Sequence, residues 1–109
     1  MDKQEQQLRA EYDSLQRKLE DPDIYSSKEY PVLARRMSEL EKSVGLFDQR
    51  QILLSQIKEA EGMVNATDAD LAVLARNELE NLQYQLKENE EKLKLRVEKI
   101  KAKLEEESK

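Results

Sequence analysis

The sequence predicts an all-α fold, an elongated three-helix bundle with a long antiparallel helical hairpin of coiled-coil type. Of 109 residues, 39% are charged and only two are glycine and two proline, a composition that favours helices. Val, Ile and Thr, which favour strands, fill only ten positions. Apolar residues also recur at spacings of three and four in three separate segments. We expect one domain over residues 1–109, with helices at about 2–20, 27–64 and 68–107.

The first helix is predicted by an apolar stripe with spacings of four, three and four, formed by Leu8, Tyr12, Leu15 and Leu19. It should end at Asp21-Pro22, because proline disfavours helical geometry in the residue before it. Ser26 and Glu29 fit a capping box, so the second helix is expected to begin near residue 26 or 27. Pro31 would then lie in or just beyond the first turn, where its missing donor costs least.

The second and third helices are predicted by longer apolar stripes. The second stripe consists of Leu33, Met37, Leu40, Val44, Phe47, Leu54, Ile57 and Val64. Gly45 lies within it, costs roughly 1 kcal/mol relative to alanine, and leaves a kink or break open as an alternative. After a loop at 65–67, either Thr67 or Asp68 should cap the third helix. The third stripe consists of Leu71, Leu74, Ala75, Leu79, Leu82, Leu86, Leu93, Val97, Ile100 and Leu104.

Several classes of function are excluded by composition. The chain has no cysteine and no histidine, which excludes zinc fingers, disulfide frameworks, thiol nucleophiles and histidine-based acid–base chemistry. Acidic pairs such as Glu90-Glu91 are interpreted as solvated helix surface. We therefore assign no catalytic, cofactor-binding or metal-binding residue, and expect neither an enzyme nor a cofactor. No apolar run approaches the length of a membrane span, and no signal peptide is present, so we expect a cytoplasmic protein without a membrane partner.

Charge is distributed unevenly along the chain. The net charge is −5, yet one face of the third helix carries a basic strip made of Lys92, Arg96, Lys99 and Lys103. The strip has two interpretations, a ridge that contacts phosphate groups or the charges that flank every coiled coil, and the second is favoured. We expect Glu88 to pair with Lys92, and Glu90 with Lys94, since residues four apart are neighbours on a helix.

The order of local features resembles the N-terminal helical domain of bacterial class I peptide chain release factors. The resemblance extends roughly from Leu8 to Leu95 and is carried by the segments Leu15–Ile24, Lys28–Tyr30, Leu33, Ser38–Glu41, Asp68–Ala75 and Asn77–Leu82. It implies a domain that reaches toward the factor-binding region and stalk base of the large ribosomal subunit. It also implies, as a second candidate partner, the GTP-binding release factor. No residue of this domain carries a motif-level role that can be transferred.

The chain also departs from the family pattern. A full release factor carries a Gly-Gly-Gln tripeptide that promotes peptidyl-tRNA hydrolysis, whereas this chain has no adjacent glycines and continues as a charged helix after Arg96. The resemblance therefore implies a non-catalytic module that acts in translation termination by ribosome or partner-factor contact. The alternative is an autonomous coiled-coil module unrelated to translation, which dimerises through Leu93, Val97, Ile100 and Leu104. We expect weak homodimerisation through this stripe at high concentration.

Overall fold

The computed structural model describes residues 2–108, and all of their side chains except those of Asp2, Leu104 and Glu107. Helix α1 spans Asp2–Glu20, a short 3₁₀ helix spans Pro22–Ser26, α2 spans Tyr30–Met63 and α3 spans Ala69–Glu107. The described residues contain no β-strand. The prediction of an all-α fold with three long helices is confirmed. The chain divides into two compact units, with the boundary between Phe47 and Asp48 in α2.

The first unit joins α1 to the first part of α2. Leu8 and Leu15 on α1 are buried, as are Leu40 and Phe47 on α2. The guanidinium group of Arg36 donates two hydrogen bonds to the carboxylate of Glu11, at 2.5 and 2.6 Å. Because both bonds must form in one plane, this pair fixes the position of α1 along α2 within the unit.

The connection between these helices is ordered by side chains. The carboxylate of Asp21 accepts a hydrogen bond from the backbone N–H of Asp23, at 3.0 Å, and so caps the 3₁₀ helix. The hydroxyl group of Tyr25 donates to the carbonyl oxygen of Leu19, and its ring lies 5.0 Å from that of Tyr30. These contacts hold the chain after Pro22, where α1 was expected to stop.

The start of α2 differs from the sequence prediction. The hydroxyl group of Ser26 donates to the carbonyl oxygen of Asp23, so the predicted capping box at Ser26 is wrong. Ser27 instead accepts the backbone N–H of Glu29, and α2 begins at Tyr30. The reason is local, because the 3₁₀ helix started by Asp21 uses Ser26 to close its own last turn. Helix α2 then passes through Gly45 without a break, so the alternative of a break is excluded.

The second unit is a helical hairpin formed by the second part of α2 and by α3. A short loop joins them, in which the backbone N–H of Ala66 donates to the carbonyl oxygen of Met63. The carboxylate of Asp68 accepts the backbone N–H groups of Asp70 at 2.9 Å and Leu71 at 3.4 Å, which confirms Asp68 as the cap of α3. Far from the loop, the Nε of Arg50 lies 3.3 Å from a carboxylate oxygen of Glu90.

The middle of the hairpin has a core of mainly large apolar side chains. Its buried members are Leu53, Ile57, Ala60 and Leu82, with Leu79 and Leu86 packed against them. Leu54 was expected in this core but is 40% exposed, so that assignment is wrong. Two successive buried residues of α2, Phe47 and Leu53, are six positions apart instead of the seven that a heptad repeat predicts, and the half-buried Arg50 lies between them. Leu53 therefore takes the inward position.

Candidate docking surface at the hairpin tip

The end of the hairpin next to its loop exposes large apolar side chains. We call this surface the apolar tip and define it by Met63, Leu71, Val73 and Leu74, all of which are exposed. Leu71 and Leu74 are three residues apart, which places both on one side of α3. The patch therefore presents adjacent leucines to the outside of the fold.

The same part of the hairpin buries small side chains. Ala75 is 5% exposed, whereas its neighbour Leu74 is 63% exposed. Ala60 and Ala72 are also buried. Because alanine adds only a methyl group to the core, the inward positions bury little apolar area here, while Leu71 and Leu74 are 44% and 63% exposed. Exposed apolar patches with this arrangement are typical of interaction sites.

The tip is built on a fixed scaffold. The carboxylate of Asp68 caps the first turn of α3, and its carbonyl oxygen accepts the backbone N–H of Ala72 at 3.0 Å. Leu71 and Leu74 therefore stand on a capped helix, so little ordering is required when a partner binds.

Sequence reasoning assigned Leu71 and Leu74 to the apolar core, and this assignment is wrong. From its start to residue 93, the inward positions of α3 are Ala72, Ala75, Leu79, Leu82, Leu86, Asn89 and Leu93, each buried or half-buried. These positions alternate steps of three and four without interruption. The signal was present in the sequence, but alanine and asparagine interrupt its apolar character, while two conspicuous leucines stand beside it.

The stripe proposed for dimerisation is partly used within the chain. Leu93 has no exposed surface, so it is not available to a second copy. Val97 and Ile100 are only half-buried, while the side chain of Leu104 lies outside the described residues. Leu93 is therefore not a candidate contact between two copies of the chain.

The basic strip lies on the surface of α3. Lys92, Lys99 and Lys103 are exposed, and Arg96 is half-buried. The predicted ion pair between Glu90 and Lys94 is wrong, because Glu90 binds Arg50 instead. Glu88 accepts a hydrogen bond from the hydroxyl group of Tyr84, which raises the pKa of that tyrosine, with the charges of Glu88 and Glu91 adding to the effect.

Two other kinds of site are absent from residues 2–108. No group of three or more acidic side chains there is arranged to hold a metal ion. No helix in the described part of the chain is long and apolar enough to cross a membrane.

Comparison with known proteins gives a consistent result. The PCRF domain family matches residues 8–106. Peptide chain release factor 1 of Acidobacterium capsulatum is 32% identical over 91 residues, which is 83% of this chain and 25% of that protein. Peptide chain release factor 1 of Lacticaseibacillus casei is 32% identical over 86 residues, covering 77% of this chain and 24% of that protein. The chain thus spans about a quarter of the length of these relatives, and no solved structure matches it.

Proposed function

This chain belongs to the PCRF domain family, and from that membership we propose that it is a non-catalytic docking module of the peptide chain release factor type. It acts in translation termination by contact with the ribosome, at the factor-binding region of the large subunit. The GTP-binding release factor is a second partner of the same module. Such a role places the protein in the cytoplasm.

The apolar tip is the observation that carries this proposal. Its leucines are exposed on a capped helix, while the fold beneath them is closed with alanines. Neither leucine belongs to the buried core, so their size is best explained by a partner that covers them. A protein surface with an apolar hollow is the matching chemistry, because exposed leucines gain free energy only when another apolar surface excludes water from them.

Co-sedimentation with purified ribosomal subunits tests the proposal. We expect saturable binding to the large subunit and little binding to the small one. The variant Leu71→Gln with Leu74→Gln should bind at least about tenfold more weakly, a loss of about 1.4 kcal/mol. Glutamine is a good helix former, so the helix itself is preserved.

A matched control uses exposed apolar side chains elsewhere, Val32→Gln with Tyr84→Gln. Both positions are 63% exposed, as is Leu74. The control should bind as tightly as the unaltered chain. Equal loss in both variants, or no saturable binding of the unaltered chain, would contradict docking through the tip.

The same proposal holds that the chain has no hydrolytic activity of its own. A ribosome–peptidyl-tRNA complex at a stop codon should release no peptide when the 109-residue chain is added, because the chain lacks the Gly-Gly-Gln tripeptide. Release above the buffer rate would refute this part of the proposal.

Weak homodimerisation remains part of the proposal in a reduced form. Only Val97 and Ile100, among the described side chains of the stripe, retain exposed surface. Sedimentation equilibrium should therefore show a weak dimer that Ile100→Glu abolishes. A strict monomer at every concentration would remove this contact from the account.

A further inference from the structure

The second half of α3 concentrates positive charge in an acidic chain. Between Lys92 and Lys103 the sequence has six cations and one acid, Glu98, although the net charge of the whole chain is −5. All five lysines of this segment are exposed. Such segregation creates a local positive potential that the composition of the whole chain hides.

The lysines divide between two sides of the helix. The basic strip of Lys92, Arg96, Lys99 and Lys103 follows steps of four, three and four, which is one face of a helix and extends over about 16 Å. Lys94 and Lys101 fall on the other side of the buried Leu93. The strip is thus a line of charge along one flank of α3.

The acid one turn before Lys92 has another partner. Glu88, four residues before Lys92, accepts a hydrogen bond from the hydroxyl group of Tyr84. Lys92, Lys99 and Lys103 form no ion pair with any described side chain. A lysine that only flanks a coiled coil is expected to pair with a neighbouring acid, so these three retain their full charge for a ligand.

We propose that the basic strip binds the phosphate backbone of RNA. A regular line of ammonium groups matches a linear polyanion, and each lysine contacts phosphate as a point charge. No aromatic ring lies between residues 92 and 103, so bases have no stacking surface and the binding does not depend on sequence. The choice of RNA among polyanions rests on the proposed function.

A membrane surface fits this geometry less well. Glu91, Leu95 and Glu98 follow the outward side of α3, directly beside the strip. A flat anionic bilayer that reached the lysines would also meet these carboxylates. An RNA strand can instead follow the flank alone.

Fluorescence anisotropy with a short labelled RNA duplex tests the proposal. The variant Lys92→Glu with Lys99→Glu should weaken binding by about tenfold or more. It should also lower the slope of log affinity against log salt by about two, because two phosphate contacts are lost. The matched control is Lys94→Glu with Lys101→Glu, which has the same spacing and the same change of charge on the other side of the helix. We expect the control to lose less than about threefold, and both variants to keep the helical circular dichroism of the unaltered chain.

Equal losses in the two variants would overturn the proposal, since they would indicate attraction by net charge alone. Absence of saturable binding to RNA would also overturn it, including the case in which the chain binds phosphatidylglycerol vesicles instead. The variant Leu71→Gln with Leu74→Gln should bind the duplex normally. Failure of RNA binding would therefore leave docking through the apolar tip untouched, and failure of docking would leave RNA binding untouched.

Discussion

The middle and the tip of the helical hairpin differ in which apolar side chains they bury: large ones in the middle and alanines at the tip. In the middle, Leu53, Ile57 and Leu82 face inward and are buried. At the tip, Ala72 and Ala75 face inward, while Leu71 and Leu74 face outward. Both regions are apolar by composition, so hydrophobicity alone does not decide what is buried. The difference indicates that the middle holds the hairpin together, and it leaves the leucines of the tip free for the partner proposed above.

The largest expected effect is on the middle. Leu82→Ala should lower the free energy of unfolding by about 2 to 5 kcal/mol, because it removes buried methylene groups and leaves a cavity. Leu74→Ala, the matched change at the tip, should alter it by no more than about 0.5 kcal/mol. Urea denaturation followed by circular dichroism measures both. Similar losses at the two positions would erase the proposed distinction.

A change in the opposite direction tests how closely the tip is packed. Ala75→Leu adds three carbons at a buried site and should destabilise the fold by about 1 to 3 kcal/mol. Arg76→Leu, at the exposed neighbouring position, serves as the control and should have little effect. A thermal melt in which Ala75→Leu unfolds at the same temperature as the unaltered chain would mean that the tip has unused space.

An intermediate effect is expected at the end of the hairpin away from the loop. Arg50→Met keeps the apolar stem but removes the ion pair with Glu90, and should cost about 0.5 to 1 kcal/mol. Because both side chains are partly exposed, the loss should shrink in high salt. Denaturation at two salt concentrations measures this, and a loss that is independent of salt would argue for packing as the cause.

The smallest effect is expected at the last turn of α2. Gly62→Ala should stabilise the fold by about 0.5 kcal/mol, because it restricts the unfolded chain and the added methyl group meets nothing within 4 Å. Gly45→Ala, also in open space, offers a comparison in the interior of the helix. Destabilisation by Gly62→Ala would contradict the open space around this residue, because it would mean that a methyl group at position 62 meets a neighbouring atom.

Much of the fold could be predicted from local chemistry. Asp21-Pro22 stops α1, and Asp68 caps α3, because both effects depend on residues adjacent in sequence. The prediction of a capping box at Ser26 was wrong because another local interaction competes with it: the hydroxyl group of Ser26 donates to the carbonyl oxygen of Asp23.

The burial phase could not be predicted as well, because it depends on what the opposite helix presents. Leu53 replaces Leu54 after Arg50 takes a place in the seam. The inward positions of α3 alternate steps of three and four residues along the helix. At the tip these positions are occupied by alanines, and the larger leucines at neighbouring positions do not shift the spacing. The candidate site was missed since its leucines looked like core.

A spin label at the tip tests the central claim most directly. The chain has no cysteine, so Leu74→Cys and Tyr84→Cys each allow labelling at one position, and both residues are 63% exposed. When large ribosomal subunits are added, the electron paramagnetic resonance spectrum of the label at position 74 should broaden to that of an immobilised probe. The label at position 84 should stay mobile. Immobilisation at position 84 alone, or no change at position 74 while the chain co-sediments with the subunit, would contradict docking through the apolar tip.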